Sequence, residues 1–162
     1  MSDIHNRGPI YTASFQTPAL TTNAHDAIGI LAPTNSRVVI HEIALAFPSS
    51  EAPDRLGVHL LRGSTASSTS VAITPVHIHG WTGAPTAGSS VTLPCTTLVS
   101  TTSAVRLQAD AFWDNVWRFM PEPGMRPILE VSQRMHVRIT APSTPRLNGT
   151  LTFSEIGKPA ST

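Results

Sequence analysis

The fold class is decided by the stretch Arg37-Val38-Val39-Ile40-His41-Glu42-Ile43-Ala44-Leu45-Ala46-Phe47. Successive side chains of a β-strand point to opposite faces, and apolar residues here recur at every second position. We therefore predict a strand whose core-facing set is Val39, His41, Ile43, Leu45 and Phe47. Eleven residues exceed the usual strand length of about 5–6, so we expect a bend or bulge near Glu42.

Shorter alternating segments lie on both sides of this stretch, with turns rich in Pro, Gly, Ser and Thr between them. Pro75 lacks a backbone donor, so its segment should lie at a sheet edge or carry a bulge. Many short strands at this spacing predict an all-β fold, an antiparallel β-sandwich or jelly roll. The predicted strands are Ile10–Phe15, Ala27–Leu31, Arg37–Phe47, Leu56–Arg62, Val71–Trp81, Val91–Cys95, Ile128–Ala141 and Leu147–Ile156, and a polar stretch from Thr96 continues into Ala104–Asp110.

The length of 162 residues suits a single domain. We expect residues 1–9 to form an extended arm, residues 10–156 the sandwich and residues 157–162 a tail. On the first strand Tyr11, Ala13 and Phe15 share a face and should be buried. On the last strand we expect Leu147, Leu151 and Phe153 to be buried.

The segment Asp110–Met120 fits two structures. Trp113, Val116, Trp117 and Met120 fall at i, i+3, i+4 and i+7, which is one face of a helix. Alternatively, Asp114-Asn115 forms a turn between two aromatic strands. The sequence leaves both possibilities open.

Composition argues against several classes of function. Only 13% of residues are charged and the net charge is +1, whereas nucleic-acid binding needs clustered cations. Serine (17) and threonine (20) make up more than a fifth of the chain, which predicts a hydroxyl-rich, nearly neutral surface. No apolar stretch approaches the roughly 18 residues of a membrane helix. The single Cys95 excludes an intrachain disulfide and is interpreted as a small buried residue at a strand end.

The sequence also lacks the motifs of common catalytic sites. There is no Gly-x-Ser-x-Gly turn for a nucleophile and no glycine-rich phosphate loop. The ten carboxylates are scattered, many of them beside turns, so a facing pair is not indicated. We therefore expect a protein that is not an enzyme and that has no cofactor.

Two residue groups have a functional and a structural interpretation. His77 and His79 lie at i, i+2, a spacing that cupin-type barrels use for a divalent metal. No carboxylate follows them, so we interpret them as surface or interface histidines. If they did bind a metal, the third ligand would have to be His59, His136 or Glu130 from another strand. Similarly, Trp81, Trp113 and Trp117 could stack on sugars, but we favour packing in the core or at a subunit interface for Trp113 and Trp117.

The C-terminal third carries three segments in a distinctive order. An aromatic stretch, Phe112-Trp113-Asp114-Asn115-Val116-Trp117-Arg118, leads to Phe119-Met120-Pro121-Glu122-Pro123. An alternating strand, Met135-His136-Val137-Arg138-Ile139, comes next. The chain then closes with Leu147–Ile156. This order, with the opening strand Tyr11–Phe15, resembles small virion proteins of tailed bacteriophages, which are β-sandwich or jelly-roll subunits.

The resemblance implies a structural protein of the capsid surface, made in the bacterial cytoplasm. Some proteins of that group are decoration (cement) proteins, often trimeric, so the expected partners are the major capsid protein and further copies of this chain. We expect capsid or subunit contacts from Arg7 in the arm and from Trp113, Trp117, Arg118 and Phe119. The alternatives are a carbohydrate- or receptor-binding module of a phage tail, a cupin-like metal-dependent enzyme, and a neck or tail-completion protein.

Overall fold

A computed structural model describes most of the chain. The described residues are 8–17, 19, 23–48, 55–63, 71–80, 84–93, 105–112, 116–144 and 146–157. They form twelve strands and one short 3₁₀ helix, Pro123–Met125. The strands are β1 (Ile10–Gln16), β2 (Asn23–Leu31), β3 (Ser36–Ala46), β4 (Leu56–Gly63), β5 (Ala72–Ile73), β6 (Val76–His77), β7 (Ser90–Thr92), β8 (Val105–Phe112), β9 (Val116–Phe119), β10 (Ile128–Leu129), β11 (Arg134–Ala141) and β12 (Asn148–Gly157).

The strands form two antiparallel sheets that pack in two layers, which confirms the all-β sandwich. Sheet A has the order β10-β3-β12-β1-β6, and β9 pairs with β3 beside β10. Sheet B has the order β5-β7-β2-β11-β4-β8. The core lies between the sheets and includes the fully buried side chains of Tyr11, Phe153 and Ile40 from sheet A and of Ile28, Leu60 and Ile139 from sheet B.

Strand β3 contains the expected bulge, but the bulge reverses the predicted face. Thr152 pairs with Glu42 and the next residue of β12, Phe153, pairs with Ile40, so His41 is the extra residue. A shift of one residue moves every side chain to the opposite face. Val38 and Ile40 are therefore in the core, and the prediction that Val39 and His41 face it is wrong. Beyond the bulge Ile43, Leu45 and Phe47 are buried as predicted.

Two predicted strands are in fact pairs of strands that belong to different sheets. Val71–Trp81 divides at Pro75, because β5 pairs in sheet B and β6 pairs with β1 in sheet A. Both are edge strands, in agreement with the position expected for Pro75. Likewise Ile128–Ala141 divides at a turn through Val131-Ser132, where Ser132 has a φ of 61°. These crossings connect the two layers.

The described part of the ambiguous segment Asp110–Met120 is strand up to Phe119, and Met120 follows the end of β9. Strand β8 ends at Phe112 and β9 begins at Val116, while residues 113–115 lie outside the described ranges. Strand β8 is the last strand of sheet B, and β9 lies at the edge of sheet A. The chain therefore passes from one layer to the other at this end of the sandwich too.

Candidate interaction site

In strand β9 the aromatic side chains of Trp117 and Phe119 point toward the core, and the side chain of Arg118 points outward. Trp117 is only 5% exposed, and its ring stacks on Phe119 with centroids 6.4 Å apart. Trp117 Nε1 also donates a hydrogen bond to Asp110 Oδ2 across the gap between β9 and β8, at 3.1 Å. Trp117 is therefore a packing residue that ties the edges of the two sheets together. Its ring is not available to a sugar.

Arg118 and Phe119 are more accessible than Trp117. Arg118 Nε lies 3.0 Å from Glu42 Oε1 on the outer face of sheet A, and its side chain is 58% exposed. Phe119 is half-buried at the margin of the core. Arg7 and Trp113, the other two predicted contact residues, lie outside the described residues, as do Trp81 and Cys95.

Beyond β9 the chain leaves large apolar side chains in solvent. Met120 is 64% exposed and Met125 is 77% exposed, on either side of the Pro-Glu-Pro turn. They line an open groove of about 530 Å³, called here the methionine groove, with Leu107, Arg118, Phe119 and Pro121. The sequence placed Met120 on the apolar face of a possible helix and gave no signal for Met125, so the exposure of the two methionines was not predicted.

A second concavity, called here the Arg126 pocket, lies on the outer face of sheet A and has a volume of about 370 Å³. Its floor is a row of side chains in register across four strands, Ile128, Val39, Ser154 and Ile10.

The walls of this pocket come from several parts of the chain. The bulged residue His41 lines it, and its Nε2 shares a hydrogen bond of 2.9 Å with Ser154 Oγ. Ile156 and Gly8 line it as well, together with Pro123 of the 3₁₀ helix and Arg126, which follows that helix. The β3 bulge therefore shapes the pocket.

The two histidines that suggested a metal do not share a strand. Strand β6 ends at His77, and His79 lies in the turn that follows. Their ring centroids are 5.5 Å apart, and the His79 backbone N–H donates a 3.3 Å hydrogen bond to His77 Nδ1. His77 also contacts the ring of Tyr11 edge-on. Within the described ranges, no three His, Cys, Asp or Glu side chains come together to hold a metal ion.

The proposed third ligands are elsewhere in the sandwich. His59 lies on β4 and His136 on β11, both in sheet B, whereas β6 belongs to sheet A. Glu130 follows β10 and bonds Arg37, with its Oε2 2.7 Å from Arg37 Nε. The structure therefore does not bring these residues to His77 and His79.

The outer face of sheet B holds a buried cluster of charged and polar groups. Arg138 Nε donates to Asp26 Oδ1 at 2.8 Å, and the two side chains are 8% and 0% exposed. His136, two residues before Arg138 on the same face, is 2% exposed, and neither of its ring nitrogens has a hydrogen-bond partner among the described residues. Because these groups are shielded from solvent, we interpret the cluster as structural.

Burial shifts the pKa of His136 in this cluster and of His59, which lies beside Arg138 on the neighbouring strand β4. It lowers the pKa of His136, and Arg134 and Arg138 lower it further, against the opposing attraction of Asp26. The pKa of His59 is lowered as well, first by burial and then by Arg106 and Arg138. Both rings are therefore biased toward the neutral form.

Comparison with family models, with curated proteins and with solved structures found no match for this chain. The resemblance of its C-terminal third to phage virion proteins stays a prediction. No helix in the described part of the chain is long and apolar enough to cross a membrane.

Proposed function

We propose that this chain is a virion structural protein of a tailed bacteriophage, a decoration protein that binds the exterior of the capsid as a trimer. Its partners are the major capsid protein and two further copies of itself. The observation that carries this proposal is the methionine groove, which lies in the same Pro-Glu-Pro segment that resembles those virion proteins.

The groove has the character of a docking surface. Large side chains that are mostly exposed in one place mark interaction sites more often than scattered ones do. Methionine is flexible and polarisable, so it adapts to an irregular partner. Met120 and Met125 flank a rigid proline turn, and the neighbouring Phe119 is held in place by Trp117. The groove therefore combines adaptable contacts with a rigid base.

The rest of the surface is compatible with many copies packed side by side. With a net charge of +1, neighbouring subunits repel one another little. A shell binder works by many modest contacts at once, so that avidity replaces a single strong site. This fits a groove of moderate size better than it fits a deep cleft.

The double substitution Met120→Lys with Met125→Lys tests the proposal. Both side chains are exposed, so the midpoint of thermal unfolding should stay within a few degrees. Cosedimentation with undecorated capsids should fall at least tenfold, because two charges would have to be desolvated at the contact. Val76→Lys, at an exposed position on the opposite edge strand β6, is the matched control and should bind like the parent.

Light scattering of the parent and of the double variant separates the two contacts. A trimeric variant that no longer binds capsids assigns the groove to the capsid, and a monomeric one assigns it to the trimer. Undiminished capsid binding by the double variant would contradict the role of the groove. A parent chain that is monomeric and does not sediment with capsids would overturn the proposed function.

A further inference from the structure

We propose that the Arg126 pocket is a binding site for a small aliphatic carboxylate, with the carboxylate on Arg126 and the hydrocarbon chain on the row of Ile10, Val39 and Ile128. The inference goes beyond the proposed function and does not depend on it, since it concerns a different surface and a different class of ligand.

Arg126 has hydrogen-bonding capacity that no described residue uses. Its Nε is buried and has no hydrogen-bond partner within the described residues. Other arginines near this face are paired, Arg37 with Glu130 at 2.7 Å and Arg118 with Glu42 at 3.0 Å. Nε itself is enclosed by protein, so the terminal nitrogens of the guanidinium are the groups that face the pocket. They form no ion pair with a described carboxylate and are suited to bind one that enters the pocket.

The floor of the pocket that also holds the Arg126 cation is largely apolar. Ile128, Val39 and Ile10 are aligned by strand pairing, and Ile156 closes one side. Ile128 is 47% exposed, although it is a large aliphatic side chain on a short strand. An alkyl chain laid along this row would remove apolar surface from water, which is the favourable term in such binding.

The volume and the polarity of the pocket both suit a short carboxylate. Ligand pockets commonly measure roughly 300–1,000 Å³ and combine apolar walls with a few polar groups that fix orientation. At about 370 Å³ this pocket is near the lower end, which favours a short chain. The hydrogen bond between His41 and Ser154 occupies the polar part of the floor, so the charge of the ligand is directed to Arg126.

The experiment uses octanoate as the probe, with octanol and octylammonium as the neutral and cationic counterparts. Binding is followed at pH 7 by NMR of isoleucine and methionine methyl groups in the full chain. Octanoate should shift the methyl signals of Ile10, Ile128 and Ile156 in a saturable manner. It should bind at least tenfold more tightly than octanol, and octylammonium should bind more weakly than either.

Variants test the two halves of the site separately. Arg126→Gln should weaken octanoate at least tenfold and leave it no tighter than octanol, whereas Val39→Phe should fill the pocket and weaken both. Arg146→Gln, at an exposed position before the other end of β12, is the matched control and should bind like the parent.

Three results would overturn the proposal. One is the absence of saturable shifts in the parent chain. Another is octanoate binding that survives Arg126→Gln unchanged. The last is a set of shifts confined to the Met120 and Met125 methyl groups, which would place the hydrocarbon chain in the methionine groove. Loss of capsid binding by the methionine variants has no bearing on these outcomes, so the two proposals fail independently.

Discussion

The outer faces of the two sheets are built from the same alternation of side chains but have opposite environments. On sheet A the outward positions of β1 and β12 carry hydroxyl groups, such as Ser14 opposite Thr150, which are exposed or half-buried. On sheet B the outward positions of β2 and β11 carry Asp26, His136 and Arg138, which are 0%, 2% and 7% exposed. Ser154 on β12, which bonds His41, is an exception at 4% exposed, but the charged groups are accessible on the outer face of sheet A and enclosed on that of sheet B.

The difference matters because the energy of a charge depends on its surroundings. An ion pair in solvent contributes little, since water screens it and its side chains lose freedom when they pair. A buried pair has lost its hydration, and each partner depends on the other for compensation. The Arg118–Glu42 pair on sheet A and the Arg138–Asp26 pair on sheet B therefore allow an accessible and a buried ion pair to be compared within one molecule.

The largest expected effect comes from breaking these two pairs in parallel. Asp26→Asn leaves the Arg138 charge buried without its counter-ion and should lower the free energy of unfolding by about 3 kcal/mol. Glu42→Gln removes the equivalent partner of Arg118 and should change it by less than about 1 kcal/mol. Urea unfolding of both variants measures the contrast. Equal losses would show that the sheet B face is open to water in solution.

A double variant separates charge from packing. Asp26→Leu with Arg138→Met removes both charges and keeps apolar side chains in their place, so it should recover most of the stability lost by Asp26→Asn. If it remains as unstable as the single variant, the loss arises from packing and not from an uncompensated charge.

Alternation alone predicted the two sheets and most of their strands, because it reports which residues are extended and half-buried. It could not predict the face beyond a bulge. In β3 the extra residue His41 turns Val38 toward the core and Val39 away from it. Nothing in the local sequence specifies which residue forms the bulge. Nor could it show that Pro75 marks a change of sheet, since β5 and β6 are defined by partners far away in the chain.

The buried cluster was missed for a related reason. Asp26 and Arg138 are 112 residues apart, and their pairing depends on the register between β2 and β11. In β11 the polar residues alternate with Met135 and Val137, a pattern typical of a strand with one solvated face. The sequence therefore could not distinguish the enclosed face of sheet B from the open face of sheet A.

Acidification should destabilise the protein through the buried histidine on the sheet B face. Because burial lowers the pKa of His136 below its ordinary value of 6.5, the unfolded chain takes up a proton at a higher pH than the folded chain does. Stability from this group is complete above pH 6.5 and is lost as the pH falls through 6.5 toward the folded pKa. The loss for one group cannot exceed about 1.4 kcal/mol per pH unit.

Urea unfolding between pH 7.5 and pH 5.5 measures this slope. His136→Gln should reduce it and leave the contribution of His59, whose pKa is also lowered. Ser14→Ala, at an exposed position on sheet A without a titratable group, is the control and should keep the slope of the parent. An unchanged slope in His136→Gln would mean that His136 is not enclosed in solution.

The smallest expected effect distinguishes two glycines on the outer face of sheet B. A Cβ at Gly29 would lie 2.9 Å from His136 Nδ1 and 3.3 Å from Thr92 Oγ1, whereas a Cβ at Gly57 would have Thr140 Cβ at 3.6 Å as its nearest neighbour. Gly29→Ala must displace the buried histidine and should cost about 1 kcal/mol. Gly57→Ala meets no obstacle and should be neutral or stabilising by about 0.5 kcal/mol, because alanine restricts the unfolded chain.

The cost of Gly29→Ala should depend on the histidine that it displaces. In a His136→Ala background the obstructing ring is absent and only Thr92 Oγ1 remains close, so Gly29→Ala should cost less than it does in the parent, and the difference is the coupling between the two sites. A cost that is the same in both backgrounds would mean that the backbone of β2, and not the ring of His136, requires glycine there. In that case the contact between the His136 ring and Gly29 would not contribute to the enclosure of the sheet B face.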